Sequence, residues 1–420
     1  MSLERLFGAE SSVLEDRDYR LLLAATAFPI LGSALVSPVL DAVIGPFGTT
    51  PARIGLVISV MTAPAIVLIP IAGVIADRYG RRPVLVASLL LFGGGGSAIA
   101  LTTDFRLVLG LRFVQGVGFS GIVPIITTSI GDLYDGAREA TAQGLRMSLN
   151  GLSGAFFPLL AGVLVGLAWQ LPFLLYALAI PVAAVVYRWL EEPVDVDGGS
   201  PDQGGGEPYR RALARLLARP RVAAIVVARS LPVVVWLGFF TYNSLIVARV
   251  FGGSALEAGV LAAAGNFVFA IAGSQAGRLT ARLGSRFVPL GLANGCLTAG
   301  FAVVLYAPDV RVAVAGIAVA GLGFGLSLTL YRSLLTRMAT PALRGGVVSL
   351  SAAGGRLTAT LTPVAMGAAI AWLEPAVGLT AALRTAGLGA AVVGGGGGLL
   401  ATVAAWLAPA VAQPSAFAIE

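Results

Sequence analysis

The sequence predicts an all-α polytopic membrane protein, with twelve transmembrane helices arranged as two repeated six-helix bundles. Composition is the first reason: of 420 residues, 57% are hydrophobic and only 12% charged, against about 25% in soluble domains. A water-exposed surface for a chain of this length would need more charge. Second, apolar runs long enough to cross a bilayer recur along the chain, separated by short polar stretches. Third, the motifs of one half return in the other about 205 residues later.

One polar stretch organises the rest. Gly73-Val-Ile-Ala-Asp77-Arg78-Tyr79-Gly80-Arg81-Arg82-Pro83 separates apolar runs at 53–76 and 84–102. Four charges in six residues cannot sit in hydrocarbon, so this is a tight turn between two membrane helices. Gly80 can take a positive φ there, and Pro83 suits the first turn of the next helix. Asp77 is the single acid among three arginines, which points to a defined pairing partner. An ordinary positively charged loop would need the arginines, but neither the aspartate nor the spaced glycines. The pattern G-x-x-x-D-R-x-G-R-R resembles the signature loop of the major facilitator superfamily, between its second and third helices. That resemblance implies secondary transport by alternating access.

Charge and residue types exclude several functions. The net charge is +7, and all 28 basic residues are Arg. They are dispersed between apolar runs with no basic patch, which argues against nucleic acid and for retention at the cytoplasmic side of a membrane. Cys296 stands alone, so there is no disulfide framework and no thiolate metal site. His and Lys are both absent. Without them the common general bases, the commonest metal ligand and the Walker lysine are missing. An enzyme is therefore not expected, nor a metal or cofactor. The Lys-free composition suggests a GC-rich prokaryotic genome. Residues 1–20 mix acids with arginines and read as a cytoplasmic tail rather than a signal peptide.

The elements follow in order. Helix 1 is expected at 21–43, with Pro29 and Pro38 inside it; prolines survive in membrane helices because neighbours re-satisfy the freed carbonyls. After 45–51 come helix 2, the signature turn and helix 3. Residues 103–106 make a short return to helix 4 at 107–130. A charged cytoplasmic loop at 131–141, holding Asp132, Asp135, Arg138 and Glu139, leads to helix 5 at 144–167 and helix 6 at 171–187. The first bundle thus occupies 21–190. The linker 191–221 opens acidic and glycine-rich, a flexible composition. It closes with Arg210, Arg211, Arg215, Arg219 and Arg221 among leucines, a basic amphipathic helix expected on the membrane surface. Six further runs, at 222–247, 258–276, 287–307, 312–331, 347–372 and 379–407, make the second bundle (222–408), followed by a tail at 409–420.

Internal matches tie the halves together. Gly277 to Arg286 repeats the signature turn at an offset of 204, and Gly321-Leu-Gly323-Phe repeats Gly116-Val-Gly118-Phe at 205. Arg344 corresponds to Arg138 at 206. A duplicated twelve-helix bundle is the parallel-repeat arrangement of facilitator halves. With both termini inside, twenty arginines fall on the cytoplasmic side and five (53, 106, 249, 311 and 384) outside. This bias sets the topology in a plasma membrane.

Three arginines fall inside spans: Arg112, Arg229 and Arg356. A charge there costs several kcal/mol and marks a candidate pathway residue. Arg229 is near enough to its helix start to snorkel. Arg112 shares a helix face with Gln115 at i+3 and Gly116 at i+4. Leu109-Gly-Leu-Arg112-Phe-Val-Gln115-Gly116-Val-Gly118 resembles the family's helix-4 motif, whose arginine is associated with proton coupling. Arg112 is thereby expected to couple or to contact substrate. Gly116 to Gly121 also spells G-x-G-x-x-G, but inside a membrane helix no dinucleotide site follows. The glycine runs 93–96 and 394–398 are expected to serve helix packing.

In helix 5, Asn150-Gly-Leu-Ser-Gly154-Ala-Phe-Phe157-Pro158-Leu-Leu-Ala161-Gly162 resembles the glycine-proline motif of the family's antiporters. Phe157 and Ala161 stand where that motif has glycines. Asp41, at the outer end of helix 1, is the single acid in the first-half spans and reads as a boundary residue. The resemblance also implies a latch on the inner side, with Asp77 against the start of helix 11 at Arg344 and the arginines Arg78, Arg81 and Arg82 against Asp132.

These features look most like the twelve-helix drug-efflux branch. The expected function is secondary export of small neutral or lipophilic compounds, coupled to H+ or else Na+, by a monomer in the lipid bilayer. Uptake of a sugar or other small metabolite is the alternative within transport. From another class, a non-transporting sensor of the same fold would be expected to carry a soluble signalling domain, for which the tails are short.

Overall fold

The computed structural model describes residues 9–192 and 207–409. The tail residues 1–8, the acidic linker stretch 193–206 and the tail residues 410–420 lie outside the described residues. Among the described residues the chain is helical with short turns and contains no strand. Eleven helices there are long and apolar enough to cross a membrane, and a shorter one precedes them. In chain order they are α1 (Arg17–Ala34), α2 (Pro51–Tyr79), α3 (Arg81–Leu101), α4 (Phe105–Leu133), α5 (Gly136–Leu167), α6 (Leu171–Trp189), α7 (Pro220–Val250), α8 (Ala255–Leu283), α9 (Phe287–Tyr306), α10 (Val310–Met338), α11 (Pro341–Val377) and α12 (Leu379–Leu407).

Local chemistry explains where these helices start and stop. The Asp16 carboxylate accepts from the Asp18 amide and caps α1, so the helix begins inside the expected tail. It ends at Ala34, not at 43, because Pro38 has no N–H to offer the Ala34 carbonyl. A helical turn resumes at Leu40–Val43. Asp104 caps α4 by accepting from the Arg106 and Leu107 amides at 2.7 and 3.3 Å. Asp309 caps α10 from the Val312 amide at 2.9 Å. These two caps stand 205 residues apart, another mark of the duplication.

The expected loop at 131–141 is a correction. α4 runs to Leu133 and α5 starts at Gly136, so only two residues separate them. Hydropathy ends a membrane segment but not a helix, and Ala137 to Ala140 continue the helix into water. The signature turn contracts in the same way to Gly80 alone, at φ 97°.

Glycines let the helices meet backbone to backbone. A Cβ at Gly116 would strike the Met61 carbonyl of α2, and one at Gly118 would come 2.5 Å from the Ser88 carbonyl of α3. In the second half, a Cβ at Gly321 would lie 2.6 Å from the Gly265 carbonyl of α8, and one at Gly323 would collide with the Ala293 carbonyl of α9. The same two glycines thus face the same two neighbours in each repeat. The run at 93–96 seats α3 on α4 and α6, and 394–398 seats α12 on α7 and α9.

Contacts divide the chain into two compact units, Met1–Ser200 with Phe240–Ala263, and Pro201–Phe239 with Ala264–Glu420. The end of α7 and the start of α8 join the first unit. There Asn243 donates to the Ala258 carbonyl at 2.7 Å and to Ser37 at 3.4 Å. In the second unit, the linker helix (Glu207–Leu217) is basic and amphipathic as expected. Its apolar side, however, packs on protein: Leu216 is buried in a core cluster that includes Val222, Leu334 and Val347, and the partly buried Leu213 and Leu217 pack against that cluster. Burial against these side chains satisfies the leucines that would otherwise need lipid.

Overpacking such contacts costs typically 1–3 kcal/mol. Gly118→Val and Gly323→Val are each expected to lower the melting temperature of the purified protein, whereas Gly73→Ala, which meets open space, leaves it unchanged. Thermal unfolding followed by tryptophan fluorescence distinguishes them.

Candidate functional site

Arg112 lies on α4 and is fully buried, as is Gln115 one turn on. The Arg112 Nη1 donates to Gln115 Oε1 at 2.6 Å. It also lies 3.5 Å from the Gly32 carbonyl of α1, from Met61 Sδ of α2 and from the Tyr176 hydroxyl of α6. The rings of Phe173 and Tyr176 face the guanidinium at 5.8 and 5.6 Å, where their negative faces attract a cation. Tyr176 itself donates to the Leu31 carbonyl at 2.9 Å. Four helices therefore converge on one cation, with Phe92 of α3 packed edge-on against Tyr176.

What the cluster lacks decides its chemistry. Among the described residues Arg112 makes no ion pair, and its Nε and Nη2 have no hydrogen-bond partner. Buried charges in proteins are ordinarily paired. This one is held by dipoles and π faces, with two donor nitrogens left for another group. Tyr176 and Phe173 were not evident from the sequence. Their one cue is a tyrosine in the middle of an apolar run, where its hydroxyl needs a partner.

The other expected site residues fall in separate places. Asp41 accepts from Arg249 Nε at 2.9 Å, and its amide donates to Ser244 Oγ at 3.0 Å. It is thus engaged in the helical turn Leu40–Val43 that follows α1, and takes no part in the Arg112 cluster. In α5, Gly154 and Pro158 are buried, while Asn150 only approaches Met147 Sδ at 4.0 Å. A Cβ at Gly162 would come 2.6 Å from the Ala255 carbonyl, and one at Gly259 would come 2.5 Å from the Pro158 carbonyl. The motif's small residues thus let α5 meet the start of α8. Arg356 belongs to the second unit.

At the turn between α2 and α3, Arg81 binds Asp77 at 2.6 Å and Asp132 at 3.1 Å. Arg82 and Arg78 instead lie against the Tyr187 and Tyr79 rings. Glu192 was assigned to the flexible linker, and the structure corrects that: its carboxylate accepts from the backbone amides of Arg81 and Arg82, the latter at 3.1 Å. It caps α3 from 110 residues away, which no local cap pattern could reveal. Glu191 likewise pairs with Arg17 at 2.9 Å. Nearby, burial and a bond to Asp16 push the Tyr134 phenol above its ordinary range. In the second unit, Arg344 Nε donates to the Thr336 carbonyl at 3.1 Å.

Fold and site together define a polytopic helical membrane protein with an uncompensated cation inside a duplicated bundle. The model for the Major Facilitator Superfamily matches residues 22–363, and the chain belongs to that family. Among curated relatives, the bacillibactin exporter of Bacillus subtilis (strain 168) is 32% identical over 162 residues, 36% of this chain and 40% of that protein. The multidrug transporter protein MdtP of the same organism is 27% identical over 167 residues, 40% of this chain and 30% of that protein. The match therefore spans less than half the length of either relative. Among solved structures, a bacterial homolog of the human lysosomal transporter Spinster, inward-facing and unoccupied, has a TM-score of 0.77 at 20% identity and covers 94% of this chain and 100% of that one. A D-xylose-proton symporter has a TM-score of 0.70 at 15% identity, covering 94% and 98%. Both show likeness of fold.

Two outcomes follow from the geometry. Arg112→Met removes an unpaired buried charge, and with it the desolvation cost of that charge, while keeping much of the side-chain volume. The purified variant is expected to melt no lower than wild type. Glu192→Gln weakens the cap on α3 and is expected to cost about 1 kcal/mol, read as a lower melting temperature.

Proposed function

We propose that the protein is a secondary transporter working by alternating access, exporting small lipophilic compounds in exchange for protons. The observation that carries this reading is Arg112, fully buried with two guanidinium nitrogens unpartnered. A membrane helix does not keep such a charge for stability, since burial without a counter-ion costs several kcal/mol. A second conformation, or the cargo, can supply what the cluster lacks. Arg112 then senses the state of the pathway and ties cargo movement to ion movement.

The relatives support export: they include a bacillibactin exporter, a multidrug transporter protein and the quinolone resistance protein NorA of Staphylococcus aureus. We assign Asp77 to an inner latch acting with the start of α11, and Arg81 to holding Asp77 and Asp132 in register. Na+ is the alternative coupling ion, and uptake of a small metabolite the alternative direction.

Transport into sealed vesicles under an imposed pH gradient tests the proposal, with lipophilic cations, neutral drugs and lipophilic acids as cargo. Wild type is expected to move at least one of them with the gradient. Arg112→Ala is expected to lose more than tenfold of that rate, whereas Asp41→Asn keeps it. Absence of gradient dependence for every compound would remove the export reading. Asp77→Asn is expected to remain folded while shifting the labelling rate of single cysteines placed along the pathway in a Cys296→Ser background. An unchanged labelling pattern would count against the latch.

A further inference from the structure

The second unit carries cations that the reading above does not use. Arg229 on α7 and Arg356 on α11 are each partly buried, and Arg332 on α10 is exposed. α7 packs against both α10 and α11 at this level. Arg229 lies within the positive fields of Arg332 and of Arg356, and its Nε has no hydrogen-bond partner. No ion pair involves any of the three among the described residues. α7 and α10 contain no acidic residue, and the single acid of α11, Glu374, lies 18 positions beyond Arg356, roughly 27 Å at 1.5 Å per residue.

Snorkelling accounts for only part of this arrangement. Arg332 is about 9 Å along its helix from Met338, and Arg229 about 14 Å from Pro220. Both are within reach of the interface. Arg356 is about 14 Å beyond the start of its apolar run at 347 and is partly buried by protein, so its head is not simply handed to the headgroup layer. Like charges brought together repel one another, most where they are partly buried as Arg229 and Arg356 are. They persist together where an anion attends them, and guanidinium forks match carboxylate, sulfonate and phosphate oxygens in pairs.

The surroundings favour an amphiphile. Trp236 follows Arg229 by seven residues along α7, beyond the interruption at Leu231 that precedes Pro232. Its ring stacks on Phe324 of α10, with centroids 4.6 Å apart and planes 6° from parallel, and Phe269 of α8 lies at 5.8 Å. Beside the cations, a Cβ at Gly354 of α11 would come 2.7 Å from Ser230 Oγ, so the glycine lets α7 and α11 pack closely next to Arg229 and Arg356.

We propose that Arg229, Arg332 and Arg356 form an anion site that takes the acidic group of an aromatic or otherwise lipophilic ligand, whose apolar body lies towards Trp236 and Phe324. The transport reading supplies the identity of that ligand as cargo, narrowing it to lipophilic acids. A phospholipid headgroup offers the same chemistry, and the experiment separates the two.

The full-length protein in phosphatidylcholine nanodiscs is titrated with naphthalene-2-carboxylate or with naphthalene-2-carboxamide, and unfolding is followed by tryptophan fluorescence. The carboxylate is expected to raise the melting temperature saturably, and the uncharged amide is not. Arg356→Gln and Arg229→Gln are each expected to weaken the apparent affinity at least tenfold, Arg356→Lys to retain part of it, and Arg311→Gln, on the opposite side, to leave it unchanged. Stabilisation by added phosphatidylglycerol but not by the carboxylate, lost in Arg356→Gln, identifies a headgroup as the anion and upholds the site. Equal effects of carboxylate and amide overturn it. So does a carboxylate effect that survives both glutamine variants, or no effect of either anion. Binding without gradient-driven transport would sink export and leave the site. Gradient-driven transport with no anion binding would do the reverse.

Discussion

A guanidinium buried in a membrane bundle must be surrounded by something that replaces water, and here that need organises the first unit. Arg112 draws the Gly32 carbonyl, Met61, Gln115 and Tyr176 from four helices, and takes the Phe173 ring as well. None of these groups is charged. Dipoles and π faces lower the cost of the cation without cancelling it. The cluster is thereby left able to respond to a change in its partners, which a closed ion pair would resist. Glycines make the convergence geometrically possible. Gly116 brings α4 onto the Met61 carbonyl, and Gly96 leaves room for Gln115 and Tyr176.

Duplication separates scaffold from function. Features held at the 205-residue offset are architectural: the Asp104 and Asp309 caps, and the Gly116/Gly118 and Gly321/Gly323 close approaches. The chemistry does not repeat. At the same offset Arg112 and Gln115 give way to Ile317 and Ala320, and Ile317 packs near Gly265 within an apolar interior. The second unit instead concentrates its membrane charges on α7, α10 and α11. Each half keeps the frame and carries a different set of cations.

The sequence made much of this architecture legible. The apolar runs located the membrane helices, and Gly80 with its flanking charges located the turn between α2 and α3, because hydrophobic length and a positive φ are local requirements. Boundaries were less legible. The 131–141 stretch was expected as a loop because its charges cannot lie in lipid, yet charged residues extend a helix into water readily. The linker helix was expected on lipid, but its leucines are covered by the second unit. Periodicity shows that a face is apolar without showing what covers it.

The sequence by itself determined the fold class, the internal repeat at an offset of about 205, the uneven distribution of the arginines and the positions of the cations along the chain. Only the tertiary structure decided what those cations meet. Tyr176 reaches Arg112 across 64 positions, and Glu192 reaches the α3 amides across 110. The group at 229, 332 and 356 is assembled from three helices. The physical reason lies in the helices themselves. Those that are apolar all round carry little facial signal, so the rotation and register that bring particular side chains together are set by packing between helices, beyond any local pattern.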